Sequence, residues 1–193
     1  MQKKQLIIII SGTPGTGKTT IALLLKEKFS AEYLNLTEVA IANDFILETD
    51  EQRDTKVADT EKLIPFLEKF ISEHSTNIII EGHYADIVPD PLISVFIILR
   101  TDPHVLEQRL IEKQFPPQKI QENLQSEILS VCVSNALETH EKSKIYEADT
   151  STASIQETLG SINILIETRP PSNLGQINWM QKLDGKKLME HFP

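Results

Sequence analysis

The chain has 193 residues and a mass of 21.8 kDa, a size that suits one compact domain and argues against a tandem array. Hydrophobic residues make up 40% and charged residues 24%, the balance of an ordinary globular protein and neither a disordered nor a collagen-like one. Lys plus Arg is 19 against 28 Asp plus Glu, a formal net charge of −9 that opposes an extended nucleic-acid interface, so no strong direct nucleic-acid binding is expected. The single cysteine, Cys132, excludes an internal disulfide and a cysteine-based metal site, and a reducing, cytoplasmic setting is the expectation.

Gln5 to Ile10 reads as the first strand. Its apolar run, Leu6 to Ile10, is far shorter than the ~20 residues a membrane span needs. It leads into glycines and a lysine instead of a cleavage site, so neither a signal peptide nor a membrane association is expected. Directly after it stands Gly12-Thr13-Pro14-Gly15-Thr16-Gly17-Lys18-Thr19, which matches G-x-x-x-x-G-K-[ST] at every specified position. Glycines let successive backbone N–H groups turn around phosphate oxygens, and the helix from Lys18 to Phe29 aims its positive dipole end at them. Lys18 is placed to neutralise the β and γ phosphates and the Thr19 hydroxyl to ligate Mg²⁺. The bland alternative is a glycine-rich strand-to-helix turn without ligand.

A second strand is predicted at Tyr33 to Leu36 and a helix at Thr60 to Glu73. In that helix Leu63, Phe66, Leu67 and Phe70 form one apolar stripe, and Pro65 falls in the first turns. Asn77 to Glu81 is the third strand. Its terminal Glu81 stands where a phosphate loop needs an acid near the metal; capping of the turn at Gly82 is the alternative. His83 is a candidate for positioning water or phosphate, against an ordinary hydrogen-bonded loop histidine.

Ser94 to Leu99 is the fourth strand, and Asp102 followed by Pro103 signals the start of a helix to Lys113. Arginines number four, at positions 53, 100, 109 and 169, so the guanidinium candidates for a phosphoryl clamp can be enumerated. Arg100 ends a strand on the side where α/β folds bind ligands. Arg109 precedes the Phe115-Pro116-Pro117 break, a lid hinge; an ion pair with Glu112 is its alternative. Arg169 is the weakest. One long helix is predicted from Pro117 to Lys142, with Cys132 between Val131 and Val133 as helix core. A fifth strand, Lys144 to Ala148, and a helix, Ser154 to Glu167, complete an α/β alternation around a buried parallel sheet. Residues 169–193 read as an appended tail carrying Trp179, for which docking in cis and disorder are the alternatives.

The phosphate loop leaves the reaction open. A GTPase tetrad is not met, since Thr55-Lys56-Val57-Ala58-Asp59 has one residue too many. The combination of Gly12 to Thr20, Tyr33 to Glu38, Asp50 to Thr55 and Ile80 to Asp86 resembles the adenylate kinase isoenzyme 6 (CINAP-like) family in its archaeal form. The likeness runs on through Leu99-Arg100-Thr101, Leu106 to Leu110, Lys119 to Asn123 and Glu147 to Thr150.

The resemblance implies a P-loop NTPase of the nucleoside monophosphate kinase type, with three layers and a five-stranded parallel sheet. The kinase domain is then residues 1–168, with a monophosphate-binding segment at about 35–58 and a lid at about 108–118. It implies transfer of the γ phosphate of ATP to AMP with Mg²⁺, and some ATPase activity. Gly12, Gly15, Thr16, Gly17, Lys18, Thr19, Thr20 and Arg109 then hold ATP, Asn35 and Arg53 hold AMP, Thr19 and Glu81 hold the metal, and Lys18, Arg109 and His83 are catalytic. A small-subunit ribosomal protein is the implied partner. A nucleotide-switched ribosome assembly factor, whose output is binding and release of that protein, is the alternative function. Two departures stand out. Ile41 replaces an arginine of the eukaryotic relatives, and Lys113-Gln114-Phe115 replaces the Arg-Gly-Tyr that relatives often carry at the lid.

Overall fold

The fold was analysed in a computed structural model, which describes residues 5–50 and 55–183. Five parallel strands form the central sheet: β1 (Ile7–Ser11), β2 (Glu32–Asn35), β5 (Ile78–Glu81), β6 (Val95–Arg100) and β7 (Ile145–Asp149), in the order β2-β5-β1-β6-β7. The five predicted strands are all present, shifted by a residue or two at their ends. β1, β5 and β6 are buried along their whole length, as uninterrupted Ile and Val runs require when helices cover both faces.

Alternation along the strands sorts the core into two layers. Ile7, Ile9, Ile78 and Ile80 face Leu36, Leu63 and Leu67 on one side of the sheet. Ile8, Ile10, Ile79 and Ile97 face Ile21, Leu25, Ile162 and Ile166 on the other. The covering helices are α1 (Lys18–Phe29), α2 (Leu36–Ala42), α3 (Thr60–Glu73), α4 (Pro103–Glu112), α5 (Pro117–Ile128), α6 (Val131–Thr139) and α7 (Ile155–Thr168). Their starts carry the side-chain caps that leave few orphan N–H groups: Asn35, Asp59, Asp102 and Ser154 each accept a backbone N–H, and Ser154 forms a capping box with Glu157. Pro65 lies in the second turn of α3 on its exposed side, where the carbonyl it leaves without a donor meets water.

Two elements differ from the sequence expectation, and the tail takes one of its two alternatives. An antiparallel hairpin of β3 (Ile46–Asp50) and β4 (Thr55–Ala58) stands apart from the main sheet, with a register irregularity between Ile46 and Glu48. The predicted helix over 117–142 is two helices, because Ser130 turns left-handed at φ 57°, where its hydroxyl accepts Arg100 Nη2 at 2.9 Å. The tail docks in cis as far as it is described. Its short α8 (Trp179–Lys182) buries Trp179 to 2% exposure.

Candidate active site

β1 lies between β5 and β6, and the chain leaves its carboxyl end into the phosphate loop, the position where open α/β sheets form their ligand crevice. The loop needs glycine for two separate reasons. At Gly12, φ is 134° and an added Cβ would lie 2.4 Å from the Leu99 carbonyl oxygen. At Gly15, φ is 94° and a Cβ would press on Leu106 at 2.8 Å. The loop then runs through Gly17, also left-handed, into α1.

Lys18 folds back over this loop. Its Nζ donates to the carbonyls of Gly12 at 2.8 Å and Thr13 at 3.1 Å. Burial pushes the ammonium down from 10.5 to about 8, with Cys132 and Glu81 opposing. The parallel register pairs Ile10 and Asn35 with Glu81, so strand ends alone bring Asn35 beside the acid. Glu81 Oε1 accepts the Thr19 hydroxyl at 2.9 Å and Asn35 Nδ2 at 2.7 Å. Its Oε2 is buried and has no hydrogen-bond partner among the described residues. Burial raises its carboxyl above the ordinary value. An orphaned carboxylate oxygen next to a threonine hydroxyl is the hard-oxygen pair that a divalent cation such as Mg²⁺ takes together with phosphate oxygens. Among the described residues no group of three His, Cys, Asp or Glu stands ready to hold a metal unaided.

Two cavities flank the loop. One, of about 310 Å³, is lined by Gly15, Thr16, Gly17, Thr20, Arg109 and Thr150. The other, of about 570 Å³, is lined by Thr13, Pro14, Lys56, His83, Lys119 and Cys132. Arg109 reaches the first from α4, with Nη2 on the Thr150 carbonyl at 2.6 Å and Nη1 on the hydroxyls of Thr150 at 3.3 Å and Thr101 at 3.4 Å. His83 stands on the wall of the second. Desolvation there, then Lys18 and Lys119, hold its imidazole below the ordinary histidine value and so neutral at pH 7.

The remaining candidates separate. Asn35 engages both ends of its amide: Oδ1 caps α2 by accepting Glu38 N–H, and Nδ2 holds Glu81. Arg53 lies outside the described residues. Ile41 is half-exposed on α2 and brings no charge. Arg100 is not a phosphate clamp. It is 1% exposed and bound to Glu127 and Glu147, because the sheet end it occupies is roofed by the α5–α6 junction. Arg169 sits beside a cavity with Gln5 and Ser94, at the opposite end of the strands. Cys132 is half-buried: it packs against the core layer of Leu36, Leu63 and Phe96, as expected of helix core, and also lines the second cavity. Glu127 and Thr150 escaped sequence reasoning as individual residues, being a helical Glu and a post-strand Thr with no local signature.

Comparison with known proteins agrees with this geometry. Residues 8–130 match the family described as an AAA domain. A protein of Methanocaldococcus jannaschii named "Putative adenylate kinase" is 34% identical over 176 residues, covering 91% of this chain and 93% of that one. The "Adenylate kinase isoenzyme 6 homolog FAP7" of Saccharomyces cerevisiae is 34% identical over 146 residues, 75% of this chain and 73% of the yeast protein. Among solved structures, the shikimate kinase of Bacteroides thetaiotaomicron superposes with a TM-score of 0.58 at 17% identity, covering 84% of this chain and 98% of that one, a likeness of fold. On the shared length and the matching phosphate loop, the chain belongs to the adenylate kinase isoenzyme 6 family of nucleoside monophosphate kinases.

Proposed function

We propose that the protein transfers the γ-phosphoryl group of ATP to AMP, giving two ADP, with ATP hydrolysis as a side reaction. The observation that carries this reading is the phosphate loop standing between two cavities, which this reading takes as the donor and the acceptor site. Loop backbone from Gly15 to Gly17, the Thr19 and Thr20 hydroxyls and the α1 amino end hold the donor phosphates. Lys18 exchanges its carbonyl partners for the β and γ phosphates, and Arg109, at the rim of the donor cavity, adds planar positive charge. Thr19 and Glu81 would hold Mg²⁺, which would supply charge neutralisation for the donor phosphates.

An oxygen of the AMP phosphate attacks the γ phosphorus in line, the bond to the β–γ bridging oxygen breaks, and its electron pair leaves with ADP. The acceptor oxygen is already anionic, so neutral His83 is not needed as a base and serves as a positioning donor on the cavity wall. Catalysis is positioning and charge neutralisation. Phosphorus NMR of the protein with ATP, Mg²⁺ and AMP tests the reading directly.

Lys18 also ties the reading to pH. Its ammonium is half lost near pH 8 in the free protein, whereas phosphates demand the charged form, so binding above that pH takes up a proton. The dissociation constant for ATP should weaken about fivefold from pH 8 to pH 9. Calorimetry in buffers of differing ionisation heat measures both the affinity and the proton uptake; an affinity flat across that interval counts against contact between Lys18 and phosphate.

At the lid, Gln114 takes the left-handed region at φ 58°, a conformation that costs a side chain-bearing residue about 1 kcal/mol relative to glycine. Lys113 beside it lines the donor cavity with a point charge where a fork closes better. The double substitution Lys113→Arg with Gln114→Gly should therefore lower the ratio of hydrolysis to transfer, by about two- to fivefold. Parallel assays of phosphate and ADP check it.

The net charge of −9 favours a second reading: a nucleotide-switched factor in small ribosomal subunit maturation that holds a basic ribosomal protein. Retention of such a protein from lysate that changes with ATP supports it, and retention indifferent to nucleotide counts against it.

A further inference from the structure

The carbonyl of Thr13 that holds Lys18 belongs to a residue that is itself tethered from below. The Thr13 hydroxyl donates to Glu127 Oε2 at 2.6 Å, across 114 residues of sequence. The other oxygen, Oε1, accepts Arg100 Nε at 2.8 Å, Thr101 N–H at 3.1 Å and the Trp179 indole N–H at 2.9 Å. Thr13, Glu127, Arg100 and Trp179 are each 2% exposed or less. An unbroken chain of hydrogen bonds thus runs from the tail through Glu127 and Thr13 to the ammonium of Lys18.

The tail is fixed to the same network at a second place. Arg100 also binds Glu147, whose Oε2 accepts Gly175 N–H at 2.8 Å. Asn173 exchanges two bonds with the Glu147 backbone, at 2.9 and 2.8 Å. Residues 172–179 therefore form a strap that grips both carboxylates of the buried arginine. Packing alone asks only for an apolar ring at position 179; the indole N–H is needed only to satisfy and orient Glu127.

We infer that Glu127 and Trp179 are positioning residues of the nucleotide site: the carboxyl-terminal strap sets the height of Thr13 in the phosphate loop, and nucleotide at the loop is felt at the indole. The coupling is reciprocal, since any change the ligand makes in the Thr13–Glu127 bond changes the surroundings of the indole by the same link. This inference rests on the proposed nucleotide binding.

Trp179 is the one tryptophan of the chain, so its emission is an assignable probe. Titration of the full chain with MgADP, followed by calorimetry and by tryptophan fluorescence, should give one dissociation constant by both signals. Thr13→Ser should keep the emission change, and Thr13→Val should bind about fivefold more weakly with the change lost. Trp179→Phe, which retains an aromatic ring in the pocket, should raise the KM for ATP about fivefold while kcat changes less than about twofold.

Emission that stays constant at calorimetric saturation, an undiminished change in Thr13→Val, or an unaltered KM in folded Trp179→Phe overturns the inference. Absence of any binding heat in the wild-type protein is a different failure: it overturns the nucleotide reading and takes this inference with it.

Discussion

Lys18→Ala is expected to lower the rate of ADP formation at least about a thousandfold, the loss seen when a preorganised charge aimed at a transition state is removed from a desolvated site. The expectation follows from position. The ammonium folds back over the loop, held on the carbonyls of Gly12 and Thr13, and residues of that loop line both cavities. Its burial, which pushes it down to about 8, means that a phosphate ligand meets a poorly hydrated cation and gains correspondingly more from it. The side chain contributes little to the core, so the thermal midpoint of the variant should stay near that of wild type. Rates and melting curves of the two proteins, measured side by side, separate loss of chemistry from loss of fold. Activity within tenfold of wild type would remove Lys18 from the mechanism.

Arg100→Met should produce the largest loss of stability. The guanidinium is 1% exposed and makes bonds to Glu127, Glu147, the Glu127 carbonyl and the Ser130 hydroxyl. A methionine fills part of the volume and leaves two carboxylates, both 3% exposed or less, without their counter-charge. Breaking a buried pair from one side costs about 3–5 kcal/mol, here expressed as a fall in melting temperature on the order of 10 °C. Arg100→Lys should recover only part of it, because an ammonium cannot reproduce a fork that serves partners on three elements. A melting temperature unchanged in Arg100→Met would mean that the two carboxylates find other partners, contrary to the geometry.

Much of this architecture was readable where one physical demand dominates a segment. Ile7 to Ile10 must be a buried strand, Gly12 to Thr19 must be a phosphate loop, and Asp102 with Pro103 must open a helix. The acid at Glu81 was readable for the same reason, as the polar end of an otherwise apolar strand. Tertiary partners decided the rest. The break at Ser130 has no glycine or proline to announce it and exists because Arg100 collects the carbonyl of Glu127 and the hydroxyl of Ser130. The hairpin of β3 and β4 lacks a sustained apolar alternation along Ile46-Leu47-Glu48-Thr49-Asp50 and Thr55-Lys56-Val57-Ala58. Arg100 looked like a clamp because a strand end near the crevice is where ligands bind, and only the three-dimensional placement of Glu127 and Glu147 reveals its structural role.

In the proposed reaction the two cavities hold a donor and an acceptor, and the phosphoryl group passes between them. Phosphorus NMR of the wild-type protein with Mg²⁺ and ATP, with and without AMP, addresses it most directly. ADP should grow as AMP is consumed, two ADP for each AMP, with inorganic phosphate a minor product and no turnover in Lys18→Ala. Phosphate release at the same rate whether or not AMP is present would contradict it.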